Sequence, residues 1–528
     1  MAIALVSTPR GLRATVLPLT FLAIVLVFIT LYRNTGSDED FFKGLPIING
    51  GKPADGHDNR RPINDHPPPK YKPAPTWLAP TVTDPFPLLA TAAPPPIPEY
   101  NVPRPGLHRE YGLSYMPPLF IGFTRQWPML LQCVVAYITA GWPPESIFVV
   151  ENTGVQNANV EGKLGLQNPF YLNHGTLRKL GVNVIQTPVL LTFSQMQNFF
   201  LFTAHARSWP YYFYSHQDVL VFSFEDGPDT MKRPGDKDWF FYDEQDEADA
   251  MRPPAAGQDG YRTIYENCLR ELNRTLEYED RWAFRWFQYD HLTLVNRGAL
   301  DAVGGWDSLM PYYGSDCDMN ARLAMDGWTM KRRRVGIIND VSTILENLAV
   351  LYRDPNIKPR FIDPNPVPIE DKPKEEPEQP PKDEQEKEKP SDEETGEENE
   401  NIKIENEEDK STQRRNDKIK GTNGMGIAKA VEYFRELVNV GNDMGAYKYR
   451  DSDHVRNSWQ NSQHGGVGEP YYYNSEGFAA SFWILAEAGR EVFRQKWGHR
   501  DCDLVEGTAL KLEDQWLVEK DWEDETEK

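Results

Sequence analysis

The sequence predicts an α/β protein, in which a mostly parallel sheet flanked by helices follows a single transmembrane helix and a proline-rich stem. The first observation is an uncharged apolar run near the N-terminus, at residues 14–32. The second is a stretch dense in proline that extends to about residue 118. The third is the alternation, after residue 119, of short apolar segments typical of buried strands with segments of helical periodicity.

Residues 1–13 are predicted to be a cytosolic tail and residues 14–32 a membrane anchor. At about 1.5 Å per residue in a helix, the apolar run nearly crosses a hydrocarbon layer of roughly 30 Å. Arg10 and Arg13 precede it and acidic residues follow at 38–40, so the positive-inside rule places the rest of the chain in a lumen. The alternative is a cleaved signal peptide, whose apolar region is usually shorter and ends at a small-residue cleavage site.

Two segments of biased composition are expected to lie outside the folded domain. Residues 33–118, with triple prolines at 67–69 and 94–96, are expected to form an extended stem without a core. Residues 361–423 are rich in Pro, Glu and Lys and are expected to be a disordered acidic linker. This linker carries much of the net charge of −22. Because the rest of the chain is only mildly acidic, we expect no nucleic-acid partner.

The folded domain is expected at residues 119–360, where strand and helix patterns alternate. The predicted strands are at residues 119–124, 147–150, 182–185 and 212–221, and the predicted helices are at 127–140 and 195–207. This order favours a mostly parallel sheet, in which ligands bind beyond the carboxyl ends of the strands. Glu151 and Asp218 stand at two such strand ends. Residues 424–528 contain two helical patterns that we expect to pack on this domain.

Two short acidic motifs, about a hundred residues apart, carry the predicted chemistry. His216-Gln217-Asp218 interrupts an aromatic, β-rich run, where a carboxylate is placed to hold a metal-bound diphosphate. Asp316 and Asp318 stand at the start of a helical pattern. A carboxylate there can remove a proton from an incoming hydroxyl, although acidic residues in a first helical turn are also ordinary capping residues.

The order of these motifs resembles that of the GT-A nucleotide-sugar glycosyltransferases, especially the inverting family 2-like members. The resemblance covers residues 119–353 and implies a GT-A (Rossmann-like) fold. The segment 149–154 is similar to the strand-end element that contacts the nucleoside, so the resemblance implies that Glu151 binds the base. Residues 193–198 resemble the segment before the metal motif and make Asn198 a substrate-binding candidate.

The resemblance also assigns the two acidic motifs. Asp218 matches a ligand of Mn²⁺ or Mg²⁺, and His216 replaces the first acid of the usual Asp-x-Asp and is placed to contact the metal or the donor. Asp316 matches the general base, and Asp318 is expected to orient the site or the acceptor. The motif Gly304-Gly305-Trp306-Asp307 and the helical segment that carries Asp316 resemble the family's acceptor region. The further substrate-binding candidates there are Trp306, Asp307 and Arg322.

The resulting hypothesis is a type II membrane glycosyltransferase of the Golgi or another secretory-pathway membrane. It is expected to move a sugar, with inversion, from a nucleotide-diphosphate donor to a hydroxyl of a glycan, glycoprotein or glycolipid. The alternative is a luminal carbohydrate-binding or scaffold protein on a degenerate transferase fold, which the histidine at 216 motivates. Four cysteines allow one or two disulfides in an oxidising lumen, but their pairing stays open. The sequon at Asn273 is compatible with that location.

Overall fold

The structure is a computed structural model that describes residues 67–73, 81–227, 253–362, 426–450, 459, 463–470 and 474–523. The chain divides into a unit of residues 1–74, of which 67–73 are described and contain no helix or strand, and a compact unit of residues 75–528. The predicted membrane anchor at 14–32 lies outside the described residues, as does nearly all of the predicted acidic linker. No helix in the described part of the chain combines the length and apolar composition needed to cross a bilayer.

A seven-stranded sheet forms the centre of the compact unit. The strands are β1 Leu119–Phe123, β2 Ile147–Glu151, β3 Asn183–Gln186, β4 Tyr211–Ser215, β5 Val219–Phe222, β6 Trp282–Trp286, β7 Leu292–Asn296, β8 Thr329–Arg332, β9 Ile337–Asp340, β10 Ile344–Leu345 and β11 Phe361–Ile362. Seven of these strands form the main sheet, in the order β3-β2-β1-β4-β7-β6-β8, whereas β5 pairs with β9 and β10 with β11 in two small sheets. All neighbours are parallel except that β7 runs antiparallel to β4 and β6. The predicted α/β class with a mostly parallel sheet is thus confirmed.

The helices connect these strands and cover the sheet. They are α1 Leu88–Thr91, α2 Leu107–Glu110, α3 Trp127–Thr139, α4 Gln156–Val160, α5 His174–Lys179, α6 Phe193–Ala206, α7 Ile264–Tyr278, α8 Arg297–Val303, α9 Ser315–Met325, α10 Ile427–Lys448 and α11 Ser475–Trp497. Every residue of α3 is buried. At the start of helix α6, the backbone N–H of Thr192 donates to the side-chain oxygen of Gln195 at 3.0 Å, which satisfies one donor at the helix N-terminus.

The side chains of β1 alternate between the two faces of the sheet, and each face is covered by an apolar cluster. Leu119 and Ile121 belong to the same apolar cluster as α3, whereas Phe120 belongs to the cluster on the other face. There the ring of Phe120 stacks on that of Phe200 from α6, with the ring centroids 5.1 Å apart. Because successive strand side chains point to opposite faces, an unbroken apolar strand is buried on both sides.

Two sequence predictions need correction. The single strand expected at 212–221 is two strands, because β4 ends at Ser215 and β5 pairs antiparallel with β9 in a separate small sheet. The stem predicted at residues 33–118 was expected to have no core, but Phe86, Leu89 and Leu107 are buried in the main apolar cluster. These apolar residues between the prolines pack on the domain, so a proline-rich composition did not prevent burial here.

Candidate functional site

The candidate site lies at the carboxyl edge of the sheet, where the direction of strand addition reverses. Strands β2 and β3 follow on one side of β1 and β4 lies on its other side, which makes the end of β1 and β4 a topological switch point. A cavity of about 420 Å³ opens there. Arg125, just after β1, and the His216–Asp218 segment, just after β4, both line it. The side-chain amide of Gln217 donates to the backbone oxygen of Arg125 at 2.7 Å and ties these two segments together.

Asp218 lies in this cavity but is already paired with a lysine. Lys448, the last residue of α10, donates from Nζ to Asp218 Oδ2 at 2.7 Å and to Asp340 Oδ1 at 2.5 Å. The lysine side chain is 2% exposed. Burial alone would raise the pKa of Asp218, but Lys448 and His216 reverse the effect and lower that pKa to about 2. Burial lowers the pKa of Lys448, and the two carboxylates more than offset it, so the pKa is raised.

His216 belongs to a second charged group beside the lysine. Its Nε2 lies 3.3 Å from Asp290 Oδ2 and its Nδ1 lies 3.8 Å from Asp218 Oδ1. Burial lowers the pKa of His216, but the carboxylates of Asp290 and Asp218 outweigh burial and raise the pKa to about 9. Burial has the larger effect on His291, whose pKa is lowered. At neutral pH His216 is therefore a cation, whereas His291 is uncharged.

Asp316 lines the same cavity, which brings the two predicted acidic motifs together. It lies in the first turn of α9, and the hydroxyl of Tyr289 donates to its Oδ2 at 3.3 Å. Tyr289 holds a φ of 48°, a left-handed backbone conformation that costs free energy for a side chain of this size. Burial, and then the nearby charge of Asp290, raises the pKa of Asp316. A carboxylate with a raised pKa beside an open cavity is suited to accept a proton.

Asp318, by contrast, is fully buried and does not line the cavity. Its carboxylate accepts from Arg322 Nε at 2.8 Å and from the indole N–H of Trp497 at 3.1 Å, and lies 2.7 Å from Lys496 Nζ. The last two partners come from α11. Asp318 therefore does not reach a substrate in the cavity, as the expected orienting role would require. Its side chain instead joins the C-terminal helix α11 to α9.

The Gly-Gly-Trp-Asp motif at residues 304–307 is held by hydrogen bonds to side chains of α9 and α6. Arg322 donates to the backbone oxygens of Val303 and Gly305 at 2.6 and 2.9 Å. The amide of Asn198 pairs with the backbone N–H and C=O of Trp306, at 2.9 and 2.8 Å. A Cβ at residue 305 would lie 2.9 Å from the Asn198 amide oxygen, and its φ is +73°, so glycine is required. Neither Arg322, Asn198 nor Trp306 lines the cavity.

Two more predicted substrate contacts lie elsewhere. The carboxylate of Glu151 is fully buried and contacts the amides of Asn159 and Gln186 and the ring of His174, at 2.8, 2.9 and 3.0 Å. Its neighbour Asn152 lines the cavity instead. Asp307 pairs with Lys496 Nζ at 2.8 Å outside the cavity. These acids have internal partners, which the sequence pattern did not reveal.

The most important site residues that sequence reasoning missed are Lys448, Arg125, Asp290 and Asp340. Arg125 directly follows the first strand, so the strand-end rule could have found it. Asp340 also ends a strand. Lys448 offered no such signal, because it is one of many lysines and lies 230 residues from Asp218 in sequence. Tertiary packing alone brings it to the cavity.

The described residues contain a group of side chains with the spacing of metal ligands, which could coordinate an ion once His216 has lost its proton. Ligand atoms of His216, Asp290 and His291 all lie within 4.8 Å of one another. The predicted metal position at Asp218 fits less well, because an ammonium group lies between Asp218 and Asp340 where a divalent ion would bind. Asp218 is therefore not an open metal ligand in this structure.

Comparisons with known proteins add little to this geometry. No protein-family model and no curated protein matches the chain. A mannosyltransferase from Pyrobaculum calidifontis, solved with GDP-mannose and Mn²⁺, is similar at 9% identity and a TM-score of 0.25 over 43% of this chain and 60% of that protein. A cytidylyltransferase from Leptospira borgpetersenii is similar at 9% identity and a TM-score of 0.23 over 42% of this chain and 82% of that protein. The chain thus spans less than two thirds of the mannosyltransferase, and at these TM-scores neither similarity bears on function.

Proposed function

We propose that this protein is an inverting glycosyltransferase that uses a nucleotide-diphosphate sugar as its donor. The observation that carries the proposal is the meeting of Asp218 and Asp316 in one cavity at the switch point of a mostly parallel sheet. Nucleotides bind at such edges in open α/β sheets. The cavity offers cations from Arg125 and Lys448 for phosphate and a half-buried carboxylate for proton transfer.

In the proposed reaction, Asp316 accepts the proton of an acceptor hydroxyl as its oxygen attacks the anomeric carbon of the donor sugar. The new bond joins this oxygen to the carbon. The bond between that carbon and the diphosphate oxygen breaks, and the nucleoside diphosphate leaves with the electron pair. Attack from the face opposite the leaving group inverts the anomeric centre. The raised pKa of Asp316 makes it a better proton acceptor than an exposed aspartate.

The proposed acceptor is a hydroxyl of a glycan, glycoprotein or glycolipid. The aromatic rings of Tyr312 and Phe482 support it, since both line the cavity and their centroids lie 4.5 Å apart. Aromatic faces pack well against the apolar faces of sugar rings. Tyr313 stacks with Trp483 nearby, at a centroid distance of 6.2 Å. Phe482 and Trp483 belong to α11, whereas Tyr312 and Tyr313 come just before α9.

The proposed location is the lumen of a Golgi-like secretory compartment, with residues 14–32 as the anchor. Cys317 and Cys502 form a disulfide, and structural disulfides are typical of oxidising compartments. This bond supports the luminal placement of the domain. Cys133 and Cys268 are buried free thiols.

The proposal is tested by measuring nucleoside-diphosphate release from a panel of nucleotide sugars by the purified full chain, with glycan acceptors. Asp316→Asn should lower turnover by about 10²–10⁴-fold, the usual contribution of a general base. Binding of the nucleoside diphosphate should stay unchanged, because Asp316 acts on the acceptor. Asp280→Asn is the matched control, since Asp280 is exposed and lies outside the cavity.

Three outcomes separate the possibilities. Full turnover by Asp316→Asn would remove it as the base. Donor binding without release or transfer for any nucleotide sugar would favour a carbohydrate-binding or scaffold protein, the second candidate function. Failure of the chain to bind any nucleoside diphosphate would refute the proposed function.

A further inference from the structure

We infer that the ammonium group of Lys448 takes the place of the divalent cation in binding the donor diphosphate. This inference rests on the proposed function and concerns how the leaving group is neutralised. Its basis is the position of Lys448 Nζ between Asp218 and Asp340, at 2.7 and 2.5 Å. Asp218 directly precedes β5 and Asp340 ends its partner strand β9. Two carboxylates that converge in this way are a typical oxygen-ligand pair for Mg²⁺ or Mn²⁺. Here a protein cation is bonded to both of them.

Burial makes this arrangement difficult for a metal to replace. The side chain of Lys448 is 2% exposed and those of Asp218 and Asp340 are 11% and 7% exposed. A metal that entered between the carboxylates would displace an ammonium group from two charge-assisted hydrogen bonds. Lys448 is also held at the end of α10, whose Phe434, Leu437 and Met444 are buried in the main apolar cluster. The lysine is therefore an integral part of the site.

The ammonium group still has capacity for a ligand. It carries three N–H bonds, and the described residues take two of them, through Asp218 and Asp340. Lys448 lines the cavity, so the third is available to an oxygen from that side. Arg125 lines the same cavity and supplies a second cation that can bind phosphate. Two protein cations are thus placed to neutralise a departing diphosphate without a bound metal.

Lys496 provides a matched comparison within the same chain. Its Nζ lies 2.8 Å from Asp307 and 2.7 Å from Asp318, and its side chain is 4% exposed. The two lysines therefore have the same kind of surroundings. Only Lys448 lines the cavity, so only Lys448 is expected to affect nucleotide binding.

The first measurement uses the unmodified full chain. After EDTA treatment, binding of UDP, GDP, CDP and ADP is measured by calorimetry with EDTA and again with Mn²⁺. We expect at least one of them to bind with the same affinity in both conditions. Binding that requires Mn²⁺ would overturn the role of Lys448 and leave the proposed function intact. The Mn²⁺ ion would then be expected to bind at His216, Asp290 and His291. No binding in either condition would refute the proposed function itself.

The second measurement compares Lys448→Ala with Lys496→Ala. Loss of one hydrogen bond from a charged group should weaken metal-free binding of the diphosphate by about 10- to 100-fold. Removing Lys448 also removes the ammonium group that lies between Asp218 and Asp340, so added Mn²⁺ should restore binding in Lys448→Ala. Mn²⁺ uptake is followed independently by the loss of the free-ion signal in electron paramagnetic resonance. In Lys496→Ala, nucleotide affinity should not change.

Unchanged, metal-independent affinity in Lys448→Ala would overturn the inference. So would uptake of Mn²⁺ by the unmodified chain that disappears in Asp218→Asn, since this would show that a metal occupies the site beside the lysine. The measurements on the unmodified chain decide the question even where a variant folds poorly.

Discussion

The disulfide between Cys317 and Cys502 connects α9 to the segment that follows α11. Cys317 lies between Asp316 and Asp318, but noncovalent contacts also fix this helix. Phe493 and Trp497 of α11 belong to an apolar cluster with residues near and within α9. Replacing Cys502 by serine should therefore lower stability while leaving the folded site in place.

The magnitude follows from the length of chain that the bond closes. The two cysteines are separated by 185 residues. The loop-entropy relation gives about 5 kcal/mol for a loop of this length at 25 °C, and loss of native disulfides typically costs about 2–5 kcal/mol. Cys502→Ser should reduce the free energy of unfolding by an amount in this range. The effect acts mainly on the unfolded chain, which gains conformational freedom when the bond is absent.

Urea denaturation followed by tryptophan fluorescence measures this change. Reductant should lower the midpoint for the unmodified protein and leave that of Cys502→Ser unaltered. Cys268→Ala tests the alternative that any cysteine change has the same effect, because Cys268 is a buried free thiol and its variant should still respond to reductant. Equal midpoints for the oxidised unmodified protein and Cys502→Ser would refute the reasoning. So would a reductant effect on Cys502→Ser.

Three more predictions concern the neighbouring acids, Asp318 and Asp316. Asp318→Ala should lower the free energy of unfolding by about 3–5 kcal/mol, because it leaves its buried cationic partners, Arg322 and Lys496, without a carboxylate; normal stability with lost turnover would instead show direct action on substrate. For Asp316, the raised pKa places the acid limb of the pH–kcat/KM profile above the pKa of an exposed aspartate, with about a tenfold fall per pH unit below it. A carboxyl whose pKa is raised in the folded protein stabilises the fold at low pH, and this stabilisation is lost as the pH rises. Asp316→Asn should therefore be at least as stable as the unmodified protein at neutral pH. An acid limb retained in the pH–kcat/KM profile of this variant would contradict the assignment of Asp316 as the general base.

The mostly parallel sheet was predictable because the positions of its first strands follow from local pattern. Apolar runs predicted the strands β1 and β2, and the rule that ligands bind beyond strand ends predicted that Asp218 would lie at a site. The resemblance added Asp316, and the structure places it in the same cavity. The roles of these residues remain predictions.

The partners of the predicted residues could not be inferred in the same way. Glu151, Asp318 and Asp307 have the residue types expected of a binding site, yet each carboxylate is engaged by side chains of the protein itself. A carboxylate that binds substrate and one that stabilises the fold look alike in sequence. The difference depends on which side chains the fold brings within about 3 Å, the distance of a hydrogen bond.

By itself, the sequence determined the α/β class with its mostly parallel sheet and the positions of Asp218 and Asp316 relative to strand and helix ends. These depend on apolar periodicity and on short-range capping, which act over a few residues. Only the tertiary structure decided that Lys448 lies between Asp218 and Asp340. Ion pairing depends on distance in space, and packing of α10 against β9 joins residues that are 230 positions apart in the chain.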